Sequence, residues 1–330
     1  MAQLVKLLDY VSRYENDLSR YPTQYVRLKN SQWQRMKLQW ENGADLSDWR
    51  QIPEEVEEQP EEGKWYTPLF RLFGNRKEQT EELIEIESHE DGEEETDLFN
   101  FNPNIISNPT NLEQLRRLYL NQLFHFQLKW ASSTMLESSR LDAKFMRDPL
   151  LKSFTQQLPD SFLLFYYPVL KVKKAPVELD IIVITPLECL CITMLEQEDV
   201  AAFIGSGDRF WIKKSGERES RILNPLIGLN RMEKILSGIF LAQGIDFPIK
   251  KIVASRNGYI DYPSTPFDTK VIDRRTYGEW FDALRKSTVP MKFNQFKAAQ
   301  SILDNVQTTA ISRLFEEPIE QSTDENNEQK

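Results

Sequence analysis

Glu178-Leu179-Asp180-Ile181-Ile182-Val183-Ile184-Thr185 is followed, after Pro186-Leu187-Glu188, by Cys189-Leu190-Cys191-Ile192-Thr193-Met194-Leu195. Both runs are short, apolar and bounded by turn residues. That pattern reads as two strands buried on both faces. Gly205-Ser206-Gly207-Asp208 then reads as a hairpin turn leading into Arg209-Phe210-Trp211. Asn224-Pro225-Leu226 opens a helix, because Asn is a strong N-cap and Pro fits the first turn. Leu226, Leu229, Met232, Ile235, Leu236 and Ile239 carry its apolar face towards Gln243. One carboxylate, Asp180, stands at the head of the first buried strand.

Working outward, Phe162 to Lys171 reads as a preceding strand, with a basic turn from Lys171 to Ala175. Val200–Ile204 and Arg209–Lys213 are expected to extend the same sheet. Lys251–Ser255 and Lys270–Ile272 are further strands, Tyr277–Lys286 a helix and Phe293–Phe315 a last helix. Three strands, a helix and a strand in this order predict an α/β fold, a mixed sheet with helices on its faces. Upstream, residues 110–157 read as helical, with Thr110 or Asn111 as N-cap and Asp148-Pro149 as the start of a second helix. The first 42 residues read as an aromatic-rich helical extension in which Leu4, Leu7, Leu8, Val11 and Tyr14 recur at helical spacing and Pro22 interrupts. The domain reading is therefore 1–42 helical extension, 43–109 linker, 110–290 α/β domain with its core at about 148–272, 291–315 C-terminal helix and 316–330 polar tail.

The formal net charge is −10 over 330 residues, but the charge is concentrated. Between Gln51 and Asp97 there are seventeen acidic and four basic side chains, a net of −13. So acidic and apolar-poor a stretch offers too little burial to offset chain entropy, and residues 43–109 and 316–330 are expected to be disordered. Within the linker, Trp65-Tyr66-Thr67-Pro68-Leu69-Phe70-Arg71-Leu72-Phe73 is an aromatic patch suited to docking on a partner or on its own domain. The rest of the chain is near neutral, so global acidity does not exclude nucleic acid. Cys189 and Cys191 alternate on one strand and read as buried thiols, a usage that fits a reducing cytoplasm. With only His89 and His125 besides, a zinc site has too few ligands. No secretory leader and no membrane span are read, and the expectation is a cytoplasmic protein. Gly-x-x-x-x-Gly-Lys, Gly-x-Gly-x-x-Gly and Gly-x-Ser-x-Gly are missing from the sequence, which argues against those nucleotide-binding and hydrolase classes.

Leu179-Asp180, the apolar strand, Thr185-Pro186, the second apolar strand, the Gly-containing hairpin with Trp211, and Asn224-Pro225-Leu226 together resemble the nuclease-related domain (NERD) family. That family belongs to the PD-(D/E)XK superfamily, so the resemblance, over about Asp148 to Ile272, implies a restriction-endonuclease-like fold. Such nucleases place a Mg²⁺-binding carboxylate at the head of one strand and Glu-x-Lys on its neighbour. Asp180 matches the first, and Asp148 is a looser counterpart of an acid on the family's first helix. The Glu-x-Lys positions fall on Thr193-Met194-Leu195, and the Gln that often follows Asn-Pro falls on Gly228. The implied site is degenerate, and the implied protein is a pseudoenzyme that acts by binding protein or nucleic acid, with no metal or cofactor expected.

Two alternatives stay open on the sequence. A slipped register offers Glu196-Gln197-Glu198, so an active Mg²⁺-dependent endonuclease would use Asp180 with Glu196 or Glu198. If no metal is held, Asp180 is expected to bond a nearby Lys. The other alternative is a scaffold that docks through its N-terminal helices and Trp65–Phe73. For nucleic acid, the candidate contacts are Lys173 and Lys174, Lys213 and Lys214, and Arg274 and Arg275, with Phe210 and Trp211 as stacking partners. The partner itself and the oligomeric state are not legible in the sequence.

Overall fold

A computed structural model describes residues 1–43, 109–172, 175–196 and 200–312. Most of the expected linker, Trp65–Phe73, the tail, Lys173, Lys174 and Glu198 lie outside the described residues.

The chain begins with strand β1 (Gln3–Leu7), a 3₁₀ turn (Arg13–Glu15) and helix α1 (Tyr21–Glu41). Helix α2 (Leu112–Trp130), the two-residue strand β2 (Glu137–Ser138), and helices α3 (Lys144–Arg147) and α4 (Pro149–Gln157) follow. Next come β3 (Leu163–Tyr166), β4 (Val169–Val172), β5 (Ala175–Glu178), β6 (Ile181–Ile184) and β7 (Cys189–Met194). Then come β8 (Ala202–Ile204), β9 (Phe210–Ser215), β10 (Arg218–Leu223) and helix α5 (Pro225–Ala242). The chain closes with β11 (Ile249–Ala254), β12 (Tyr259–Asp261), β13 (Thr269–Ile272), α6 (Tyr277–Arg285), α7 (Phe293–Leu303) and β14 (Ile311–Ser312).

The central sheet has the order β1-β3-β6-β7-β11-β13. β3, β6 and β7 form an antiparallel meander, while β1 runs parallel to β3, and β11 runs parallel to both β7 and β13. Helix α5 packs on β7 and β11, α4 on β3, α2 on β1 and α7 on β6, so the sheet is covered on its faces. Every residue of β3 and β6 is buried, and the free thiols of Cys189 and Cys191 are fully buried in β7. The mixed sheet flanked by helices is thus as expected. Among the described residues no helix is long and apolar enough to cross a membrane.

Several local expectations are corrected. Residues 3–7 are a strand, not a helix. β1 is buried at all five positions, so it lacks the alternation that marks a half-exposed strand, and its leucines mimic a helical period. Pro22 does not interrupt a helix but sits in the first turn of α1, where its missing N–H costs nothing. The single strand read from Phe162 to Lys171 is two, because Tyr167 adopts φ +51° and turns the chain from β3 into the β4–β5 hairpin. β8 and β9 do not extend the central sheet. With β10 and β12 they form a second sheet of order β10-β9-β8-β12. The last helix ends at Leu303 because Asn305 and Gln307 exchange backbone hydrogen bonds with β4: Lys171 N to Asn305 O at 2.8 Å and Gln307 N to Val169 O at 2.7 Å. Asn111 and Asp148 do cap α2 and α4, as their sequence context predicts.

Inside β1, the Lys6 side chain is 0% exposed. Its ammonium donates to Glu15 Oε1 at 2.5 Å, to the Tyr10 carbonyl at 2.6 Å and to Thr308 Oγ1 at 2.8 Å, and Thr308 Oγ1 donates to Glu15 Oε2 at 2.7 Å. Burial lowers the Lys6 pKa, and the Glu15 charge opposes that shift. This cluster ties the first strand, the 3₁₀ turn and the segment after α7 together. Removing one partner strands a buried charge, so Glu15→Ala is expected to cost about 3 kcal/mol in urea unfolding. Lys6→Met, which removes the charge itself, is expected to cost clearly less. Equal costs would contradict this account of the cluster.

Candidate functional site

Strand polarity brings the polar groups of the central sheet to one end. This end holds the carboxyl ends of β1, β3, β7, β11 and β13 and the amino end of β6. Ile181 pairs with Ile192, which sets Asp180 beside Thr193. Thr193 Oγ1 donates a hydrogen bond to Asp180 Oδ2. The first turns of α5 lie above: a Cβ on Gly228 would stand 3.7 Å from the same oxygen. Burial raises the Asp180 pKa, opposed by the Thr193 hydrogen bond and by the charge of Arg231. The expected Lys partner of Asp180 is therefore replaced by a threonine hydroxyl.

The other acids at this end are engaged elsewhere. Asp148 Oδ1 accepts from Leu150 N at 2.8 Å and Leu151 N at 3.1 Å, capping α4, and its Oδ2 accepts from the Tyr166 hydroxyl at 2.6 Å. Glu196 does not join Asp180 as the slipped register requires. Its Oε2 accepts from Arg256 Nε at 3.0 Å and Nη2 at 2.8 Å, and its Oε1 from Arg256 N at 3.2 Å. Such a fork is geometrically specific and holds Glu196 to the end of β11. Burial pushes the Tyr167 hydroxyl up to about 12, helped by the charges of Asp180, Asp148, Glu178 and Glu196. Burial likewise pushes Tyr277 up to about 12, and its hydroxyl is buried without a hydrogen-bond partner among the described residues. Among the described residues no three His, Cys, Asp or Glu side chains are grouped to hold a metal ion.

Asn224 and Trp211, which carry part of the family resemblance, have structural positions. Asn224 Oδ1 caps α5 at Leu226 N (3.0 Å), and its Nδ2 donates to the carbonyls of Asp208 (2.8 Å) and Ser206 (3.3 Å). Trp211 Nε1 donates to the same Ser206 carbonyl at 3.0 Å. The two side chains fasten the Gly205–Asp208 turn to the helix start. Gly205 must stay a glycine, since a Cβ there would lie 2.6 Å from the Tyr262 ring. Trp211 is 0% exposed, so the expectation that it stacks on bases is corrected.

The remaining basic candidates converge on the second sheet. Register pairs align Tyr259, Ala202, Lys214 and Glu219 in one row, and Asp261, Ile204, Ile212 and Arg221 in the next. Opposed residues share a face. Ile260, Phe203 and Trp211 point the other way, into the core, together with half-buried Lys213. The outer face exposes Tyr259 (39%) and Phe210 (46%). Arg274 and Arg275 lie over the Tyr259 ring at 5.9 and 5.8 Å, and Arg209 lies over Phe210 at 5.6 Å. Asp273 holds the Arg275 guanidinium at 2.9 and 2.5 Å, and Lys214 pairs weakly with Glu219 at 3.5 Å. Lys214, Arg274 and Arg275 thus share a face, whereas Lys213 does not reach it. Tyr259 was missed because only strand register shows that it belongs to this face, and Arg209 because only its contact with the Phe210 ring places it there.

No protein-family model matches the chain, and no solved structure matches it significantly. A stretch of 56 residues is 45% identical to a Geobacillus stearothermophilus protein described as an RNA 2′,3′-cyclic phosphodiesterase. It covers 17% of this chain and 18% of that protein, so the chain matches less than a fifth of the relative's length.

A carboxyl whose folded pKa is raised takes up a proton on folding, so its ionisation opposes folding as pH rises from the unfolded value, 3.8, through the folded one. Asp180→Asn keeps an acceptor for Thr193 without that penalty. It is expected to equal or exceed the parent in thermal stability at pH 7, with the advantage fading below about pH 4. A variant clearly less stable at pH 7 would mean that the ionised carboxylate is itself stabilising.

Proposed function

We propose that this protein is a non-catalytic nucleic-acid-binding protein built on a degenerate nuclease-like domain. The observation that carries the reading is the outer face of the second sheet. Two exposed aromatic rings stand there among Arg209, Lys214, Arg274 and Arg275, with the apolar edges of Ile204 and Ile212 between them. Cations supply sequence-independent attraction to phosphates, and exposed rings supply stacking surfaces for unpaired bases. A sheet face of this kind suits single strands better than a duplex, whose bases are already stacked.

Support for the nuclease-like part is the placement of three positions. Asp180 heads β6, Thr193 lies near the end of the adjacent strand, and Gly228 stands over Asp180. These are the places where the family carries its Asp, the Glu of Glu-x-Lys and the Gln after Asn-Pro. Here the second position is a hydroxyl and the third has no side chain, which among the described residues leaves Asp180 without a carboxylate partner to share a divalent ion. Asp148 and Glu196 would have to surrender a helix cap and an Arg fork to take part. The short match to a phosphodiesterase covers too little of either chain to carry an activity.

The test is titration of the full chain against fluorescent single-stranded RNA and DNA and a duplex, at several salt concentrations, with cleavage monitored in Mg²⁺ and Mn²⁺. Binding to single strands is expected, weakening steeply with salt. Tyr259→Ala and Phe210→Ala should each cost about 1–3 kcal/mol where a base stacks on the ring. No cleavage is expected from the parent or from Asp180→Ala. Binding indifferent to both aromatic substitutions would remove the sheet face from the reading, and metal-dependent cleavage lost in Asp180→Ala would replace it with the endonuclease alternative.

A further inference from the structure

Among the described residues, the β9–β10 hairpin ends the second sheet with β10 paired on one side alone. Ser215 and Arg218 flank a two-residue turn in which Gly216 takes φ +57°, the positive angle needed at the first position of a II′ turn. In such a hairpin the flanking pair exchanges both backbone hydrogen bonds, and the pattern then alternates. Arg218, Ser220 and Ile222 therefore direct their backbone groups at β9, while Glu219, Arg221 and Leu223 turn theirs outward. Among the described residues no further strand pairs with β10. Five of its six residues are exposed and Ile222 is half-buried. An edge of this length is a template for another strand unless proline, a bulge or charge blocks it; β10 has neither proline nor bulge, and its charges, Arg218, Glu219 and Arg221, are of mixed sign, so they select a partner strand rather than exclude every one.

We infer that the occupant of this edge is a second copy of the same strand, paired antiparallel about a two-fold axis through Ser220, and this inference stands apart from the nucleic-acid reading. The register follows from chemistry. Only outward-facing residues can meet as hydrogen-bonded pairs, so residues 219, 221 and 223 must face residues of the same set or Glu217. A one-step shift in one direction sets Glu219 against the partner copy's own Glu219, and a shift in the other sets Arg221 against its own copy. The register centred on Ser220 sets each Glu219 against an Arg221, twice, by symmetry. Like charges directly opposed destabilise a ladder and opposite charges support it. The sequence Arg218-Glu219-Ser220-Arg221 is thus self-complementary in one register alone. The two small sheets then join into one continuous sheet through an isologous contact. One strand pair is a small interface, so a dissociation constant of roughly 1–100 µM is expected.

The test is sedimentation equilibrium of the full chain over a wide concentration range, read against the 38.8 kDa chain mass. The mass is expected to rise towards twice that value, less so at high salt. Glu219→Arg alone and Arg221→Glu alone should each raise the dissociation constant at least about tenfold, since each opposes like charges twice. An equimolar mixture of those two single variants restores opposite charges at both pairs and should recover dimer. That recovery separates lost pairing from misfolding. A chain that stays monomeric at several hundred micromolar, a dimer indifferent to both substitutions, or a mixture that fails to recover would each overturn the inference.

Discussion

A sheet buried on both faces leaves no room for charge along its strands, and most of the chemistry of this protein follows from that. β3, β6 and the first part of β7 carry only apolar, aromatic and thiol side chains. Polar groups are displaced to strand ends, where Asp180, Thr193, Glu196, Arg256 and Asp273 gather. Lys250 and Lys270 stand exposed on the outlying strands, but two buried lysines break the pattern, and both show its cost. Lys6 is held by Glu15 and Thr308, and Lys251 by Glu233 at 3.0 Å, Asp268 at 2.6 Å and Asn230 at 2.8 Å. A buried ammonium without such partners would lose its charge or unfold its surroundings.

The same constraint divides what the sequence revealed from what it hid. β6, β7 and α5 were legible because a continuous β-branched run, a short break and an Asn-Pro cap each have a local cause. The Asp148 cap was legible for the same reason. β1 was hidden because a strand buried on both faces has no period of its own, and only its pairing with β3 settles the matter. The end of α7 was hidden because the bonds that stop it come from β4, more than a hundred residues upstream. Asp180 could be found from its place at a strand head. Its partner could not, since the Thr193 contact depends on the register between β6 and β7.

Charge shows the difference between sequence clusters and surfaces. Lys213 and Lys214 are neighbours in the chain, yet the strand period of two sends one towards the core and the other to the open face. Arg274 and Tyr259 are fifteen positions apart and meet in a cation–π contact. Register, not nearness in the chain, thus decides which side chains share a surface.

The end of the central sheet shows how acids gathered at strand ends are satisfied within the fold. The Thr193 hydroxyl satisfies Asp180 directly, with no second charge beside it to repel. Asp148 stabilises α4 and Glu196 anchors Arg256 at the end of β11. Each of these acids therefore has its hydrogen-bond partner within the fold. Polar groups satisfied in this way rigidify the sheet end. The second sheet, attached through Trp211 and Asn224, carries its aromatic rings and cations on an open face instead, where Tyr259 and Phe210 stay exposed beneath Arg274, Arg275 and Arg209.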